Sequence, residues 1–173
     1  MPAEVSMEQD ESGHRIVVGV DGSLSSEAAL RWAVRQAERT GAKVEAVTVW
    51  WYPPGYGLAP VSDDEVADLQ GEAGKTLAEA LAGVSGLAAD VVVNPRVVEG
   101  QAAEVLLEAA RGADLLVVGS RGHGGFTAAL GSVSQRCVRH APCPVVVVRA
   151  GVPVSSSALP HPENPDLPSL GDG

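Results

Sequence analysis

Residues Gly119 to Gln135 read GSRGHGGFTAALGSVSQ, a glycine-rich stretch between two apolar runs, Asp114-Leu-Leu-Val-Val118 and Val145-Val-Val-Val148. Five glycines, Gly119, Gly122, Gly124, Gly125 and Gly131, fall within thirteen positions, and Ser132 and Ser134 follow where a helical pattern begins. Glycines let backbone N–H groups turn toward one point without hindrance from Cβ. A helix N-terminus adds N–H donors that lack intrahelical partners, and the positive end of a dipole. The combination is an anion site, and phosphate is the anion it suits. A plain strand-to-helix connection also uses glycine, but it needs only about two to six residues, and this stretch is longer and richer.

A chain of 173 residues holds one domain with a real core. Hydrophobic residues make up 45 % of it and aromatic residues only 3 %, so the core must be built of Val, Leu and Ala, as in a sheet covered by helices on both faces. The formal net charge is −10, lysine occurs only at Lys43 and Lys75, and there is no basic run. Duplex nucleic acid and anionic membrane are therefore poor partners, because the charge term is repulsive, and neither is expected. The same charge does not exclude a nucleotide, because backbone amides in one loop outweigh a distant acidic field that salt screens. No run of about 18 apolar residues occurs, and the opening MPAEVSMEQDESGHR is polar and acidic, so the expectation is a soluble, cytoplasmic protein. Two cysteines make no disulfide framework. Cys137, His140 and Cys143 are three soft ligands where a structural zinc wants four, so buried or partly buried thiols are expected instead.

Residues 1–13 carry Glu4, Glu8, Asp10 and Glu11 with little to bury and read as a disordered leader; the domain is expected over 14–150. Arg15-Ile-Val-Val-Gly-Val20 is a short β-branched run ending in Asp21-Gly22-Ser23, a strand followed by a turn. Ser25 or Ser26 is expected to cap a helix over Glu27 to Arg39, stopped by Gly41. Lys43 to Trp50 reads as a buried strand. It runs into Trp50-Trp-Tyr52 and Pro53-Pro-Gly-Tyr-Gly57, aromatics that either stack on a purine ring or pack under the loop. Asp63 to Gly83 predicts a second helix, weakened by Gly71 and Gly74, each costing about 1 kcal/mol against Ala. Asp90 to Val98 predicts a third strand, with Pro95 arguing for an edge position. A helix from Gly100-Gln101 through Arg111, the strand Asp114 to Val118, a helix from Ser132 to His140 and the strand Val145 to Val148 complete the body. Residues 151–173, rich in Pro, Ser and Gly, predict a disordered tail. Strands alternating with helices predict a parallel, doubly wound α/β sheet whose ligand lies at the carboxyl ends of the strands near the switch in strand order.

The loop lacks the lysine of a G-x-x-x-x-G-K-[ST] phosphate loop, and Gly19-Val-Asp21-Gly-Ser23 after the first strand fails the G-x-G-x-x-G dinucleotide pattern. Four ordered landmarks instead make the sequence similar to the universal stress protein family: Val18-Gly-Val-Asp-Gly-Ser23, Gly119-Ser-Arg-Gly122, Gly131-Ser-Val-Ser134 and His140-Ala-Pro-Cys-Pro-Val145. The resemblance covers about residues 15 to 149. It implies a flavodoxin-like, adenine nucleotide alpha hydrolase-like fold with strand order 3-2-1-4-5, and ATP as ligand. Carried over by position, it places Asp21 at the ribose or at a nucleotide-bound Mg, the backbone of Val49 at the adenine, and Gly119, Gly122, Gly131 and Ser132 in the phosphate motif G-x2-G-x9-G-[ST]. Eight residues, His123 to Leu130, separate Gly122 from Gly131, one fewer than that motif has. The candidate binding set is thus Gly19, Asp21 and Val49 with Gly119, Ser120, Arg121, Gly122, His123, Gly124, Gly125, Gly131, Ser132, Val133 and Ser134.

For Asp21 a helix-capping or turn role satisfies DGS equally well, and Arg121 either pairs with phosphate or points into solvent. Without a lysine clamp or a base beyond Asp21, hydrolysis is expected to be slow at most. The expected function is therefore an ATP-binding stress or regulatory protein whose ligand tunes conformation or partner choice. The alternative is a nucleotide-independent homodimeric interaction module with a degenerate loop. The resemblance implies dimerisation through Val145 to Val148, an edge strand that needs a cover in any case.

Overall fold

A computed structural model of the chain describes residues 13–52, 62–122 and 129–151. Residues 1–12 of the expected leader, 152–173 of the expected tail, Pro53 to Gly57, and His123, Gly124 and Gly125 of the loop lie outside the described residues. Along the chain run β1 (Arg15–Gly19), α1 (Leu24–Thr40), β2 (Lys43–Trp50), α2 (Asp63–Ala82), β3 (Val93–Glu99), α3 (Ala102–Ala109), β4 (Leu115–Gly119), α4 (Ser132–His140) and β5 (Val145–Val148). All four strand pairings are parallel, and the sheet order is β3-β2-β1-β4-β5. The α/β class and the order 3-2-1-4-5 both hold.

The central strands β1, from Ile16, and β4 read as unbroken apolar runs because both faces are covered. On one face Ile16, Val18, Val44 and Ala46 pack under Leu30, Ala33 and Val34 of α1 and Leu77 of α2; on the other, Val17, Val47, Leu116 and Val118 pack under Leu106 of α3 and Cys137 of α4. Burial pushes the Cys137 thiol up to about 11, keeping it neutral; Cys143 is half-buried and shifted the same way. Pro95 sits on β3, an edge strand, where its missing N–H costs the sheet least.

Several boundaries differ from the sequence reading, each for a local reason. The N-cap of α1 is Ser23, not Ser25 or Ser26: its backbone is extended and its side chain accepts from the Ser26 N–H, which starts the helix at Leu24. Gly71 and Gly74 do not interrupt α2. A capping box between Ser62 and Glu65 anchors its first turn, and neither glycine faces any neighbour within 4 Å, so only the propensity cost remains. β3 begins at Val93 because the Val91 N–H is held in a turn by the Ala88 carbonyl. α3 ends at Ala109, and Gly112 lies beyond it in the left-handed turn back to β4. Among the described residues no helix is long and apolar enough to cross a membrane.

Candidate functional site

The sheet changes direction between β1 and β4. α1 leaves β1 toward β2, whereas α4 leaves β4 toward β5, so the two connections diverge and open a cleft above the carboxyl ends. A cavity of about 350 Å³ occupies that cleft. It brings together Gly19 at the end of β1 and Asp21 after it, Val49 of β2, Gly119 at the end of β4 with Arg121 and Gly122 after it, and Gly131, Ser132, Val133 and Ser134 at the start of α4. Ser120 is the one described member of the candidate set that does not line it. Its side chain is buried, its N–H donates to the Val148 carbonyl (2.7 Å), and its carbonyl accepts from Gly131 N–H (2.9 Å). Ser120 is thus a tie between β4, β5 and the start of α4.

The start of α4 supplies donors. Gly131 is the N-cap, in extended conformation and without a side chain to cap the helix. The first intrahelical bond runs from the Gln135 N–H to the Gly131 carbonyl (2.9 Å), so helical geometry leaves the N–H groups of Ser132, Val133 and Ser134 without intrahelical acceptors beside the cavity. The Ser134 hydroxyl donates to the Gly119 carbonyl (2.6 Å), fixing α4 on β4. Gly122 N lies 3.6 Å from the point a Cβ on Gly131 would occupy, so the described ends of the glycine loop meet. Despite the short spacing, Gly131 stands at the head of α4 with its amide tied to β4.

β2 supplies a different group. β1 and β2 are in register as far as Gly19 and Val47, and one further bond runs from Val20 N–H to the Val47 carbonyl (2.8 Å). In a strand the N–H and C=O of one residue point to the same side, and the side alternates along the chain. Val47 faces β1, and Trp50 faces β3, where its carbonyl accepts from Gly100 N–H (2.9 Å). Val49 therefore presents both backbone groups toward the β1 side, past the last residue of β1 that pairs with β2, at the wall of the cavity. A donor and an acceptor spaced as in one strand residue match the edge of a purine ring. None of Trp50, Trp51 and Tyr52 lines the cavity; Trp51 is exposed, and Tyr56 of the same aromatic group lies outside the described residues.

Asp21 stands between the two halves. Its Oδ1 accepts from Ser23 N–H (2.9 Å) and from the Ser23 hydroxyl (2.5 Å), so the turn role expected of DGS is real. Its Oδ2 lies 2.8 Å from the position of a Cβ on Gly122, which brings the carboxylate to the glycine loop as well. Asp21 is the one carboxylate among the described lining residues, and no described cluster of three or more His, Cys, Asp or Glu could hold a metal by itself. A divalent ion at this site would need phosphate oxygens among its ligands.

Sequence reasoning missed several lining residues. Ala102 and Leu106 of α3 close the far wall, and Ser26 lies beside Asp21, whose N–H donates to the Ser26 hydroxyl (3.2 Å). The only signal for Ser26 was the run of hydroxyls in Ser23-Leu-Ser-Ser26, which reads equally as helix capping.

Comparison with known proteins agrees with this fold. The sequence profile of the universal stress protein family matches residues 13–149. A universal stress protein of Mycolicibacterium smegmatis is 40 % identical over 158 residues, covering 86 % of this chain and 51 % of its own length. One from Mycobacterium tuberculosis is 41 % identical over 140 residues, covering 78 % of this chain and 43 % of its own. The chain thus spans about half the length of the curated relatives it matches. Among solved structures, a universal stress protein in complex with cAMP is 32 % identical and superposes with a TM-score of 0.60, covering 80 % of this chain and 99 % of that one. The chain belongs to the universal stress protein family.

Proposed function

We propose that the chain binds an adenine nucleotide in the cleft between β1 and β4, with ATP and its Mg as the ligand. Occupancy then tunes its conformation or its choice of partner in the cytoplasm. The observation that carries this reading is the meeting, in one cavity, of the outward backbone groups of Val49 and the N–H groups at the head of α4. The first suits an adenine edge and the second a phosphate. The relative solved with cAMP, at 32 % identity, supports the same ligand class. Mg fits only as part of the nucleotide complex: Asp21 is the residue that would face it, and the ion would offset phosphate charge beside that carboxylate.

Calorimetry with ATP, AMP and cAMP, with and without Mg, tests the reading beside a Gly122→Ala variant. An added Cβ at Gly122 would meet Asp21 Oδ2 at 2.8 Å, so it displaces the carboxylate and intrudes on the loop. Gly122→Ala should weaken nucleotide binding by about tenfold or more while leaving the melting temperature within a few degrees of the parent. Absence of nucleotide binding by the parent protein would sink the reading.

A second reading, a homodimeric interaction module, is favoured by one observation. Among the described residues β5 closes the sheet on one side with β4 as its only partner in the strand order, and three of its four valines are only partly buried. An exposed edge of this kind pairs with another strand or aggregates, and a second copy of the chain supplies that strand. Replacing Val147 with Lys should shift the protein toward monomers in sedimentation velocity; an unchanged dimer would remove this edge from consideration.

A further inference from the structure

The turn between β1 and α1 reaches across the switch point to the glycine loop. The Ser25 hydroxyl donates to the carbonyl of Arg121, 96 residues away in sequence, and the Ser23 hydroxyl lies 3.3 Å from the same oxygen. Ser25 is buried. It presses so closely on β4 that a Cβ on Gly119 would stand 2.6 Å from its hydroxyl oxygen. The Ser23 proton has its nearer acceptor in Asp21 Oδ1, at 2.5 Å, so Ser25 is the principal donor to Arg121.

We infer that Ser25 is a positioning residue of the nucleotide site: by holding the Arg121 carbonyl it fixes the Arg121–Gly122 peptide plane and aims the Gly122 N–H at the phosphate. The inference rests on the nucleotide reading above. A peptide unit is planar and trans, so its C=O and N–H point in opposite directions. With the carbonyl held against α1, the Gly122 N–H points away from Ser25. On that side stands the head of α4, since Gly122 N lies 3.6 Å from the Cβ position of Gly131. Gly122 lines the same cavity as Ser132, Val133 and Ser134, so on this inference its N–H adds to the donors at the head of α4. Glycine permits the rotated peptide as readily as the observed one. Without Ser25 the hold on this carbonyl is weakened to the longer Ser23 contact, whose proton has Asp21 as its nearer acceptor, and the rotated peptide turns a carbonyl oxygen toward the anion.

The test measures AMP and adenosine binding by calorimetry for the parent chain, Ser25→Ala and Ser25→Cys, with thermal unfolding of each. Cysteine keeps the side chain close in size but is a weak donor, so it serves if the alanine variant does not fold. Ser25→Ala should weaken AMP about tenfold and leave adenosine within about twofold of the parent, with Ser25→Cys between them. The Gly122 amide resonance should move on AMP addition in the parent and not in Ser25→Ala. Unchanged AMP affinity in the variants overturns the inference and leaves the nucleotide reading standing. Equal losses for AMP and adenosine overturn it in favour of a general structural role. A parent that binds neither ligand removes the nucleotide reading and this inference together.

Discussion

Gly119→Ala should lower the melting temperature by roughly 5–10 °C and abolish nucleotide binding, whereas Gly122→Ala should weaken binding with little change in melting temperature. The difference follows from what each new methyl group meets. At Gly119 a Cβ would lie 2.6 Å from Ser25 Oγ, 2.8 Å from the Ser25 carbonyl carbon and 2.8 Å from Ser26 N. Two of these three are backbone atoms in the first turn of α1, which cannot swing aside as a side chain can. Relief therefore requires the head of α1 to withdraw from β4, loosening the packing of Ala29, Leu30 and Ala33 on the sheet. Overpacking of this kind costs about 1–3 kcal/mol and more where backbone must move. At Gly122 the atom met is the tip of Asp21, which yields by rotation. A melting temperature for Gly119→Ala within a degree or two of the parent would mean that α1 and β4 do not approach as closely as described.

The pair also shows what the sequence could and could not say about this loop. Its glycine content marks the loop as a candidate anion site, but the five glycines look alike in sequence. Neither Gly119 nor Gly122 has a positive φ, so neither is needed for backbone conformation. Gly119 is needed because a helix presses on it, Gly122 because a carboxylate does, and at Gly131 a Cβ would meet only ordinary contacts of 3.5–3.7 Å. Such distinctions depend on partners about a hundred residues away, and no local pattern carries them. The strands and their parallel arrangement were legible because continuous apolar runs and helical crossovers leave few alternatives. Ser23 as N-cap was not, because Ser23, Ser25 and Ser26 offer three chemically equal hydroxyls within four positions. Structure separates them into a cap, a clasp on Arg121 and an acceptor for the Asp21 N–H. Val49 was proposed through its backbone by resemblance alone; its outward peptide groups follow from β1 ending two residues short of it, which only register reveals.

At the opposite end of the strands, Glu45 should prove an acid-sensitive contributor to stability. It interrupts the apolar run of β2, with its carboxylate nearly buried: Oε2 accepts from Arg15 Nη1 at 2.7 Å, and Oε1 from Arg96 Nη1. Arg15 is itself held by the Arg111 carbonyl at 2.6 Å, just beyond the carboxyl end of α3. Burial is the largest single influence on Glu45 and pushes its pKa up, but the hydrogen bonds and charges of Arg96 and Arg15 together outweigh it and hold the group below its ordinary value of 4.5. Because the folded value is the lower one, the carboxylate stabilises the fold above about pH 4.5, and this contribution is lost as pH falls through the folded value. Glu45→Ala should cost about 1–3 kcal/mol at pH 7. The upper end of what a broken buried pair can cost is not expected, because Arg96 is half exposed and rehydrates. Urea unfolding of parent and variant at pH 7 and at about pH 3 checks both parts, with the gap between them expected to narrow in acid. An equal gap at the two pH values would show that packing of the glutamate stem, and not its charge, joins the three inner and edge strands at this end of the sheet.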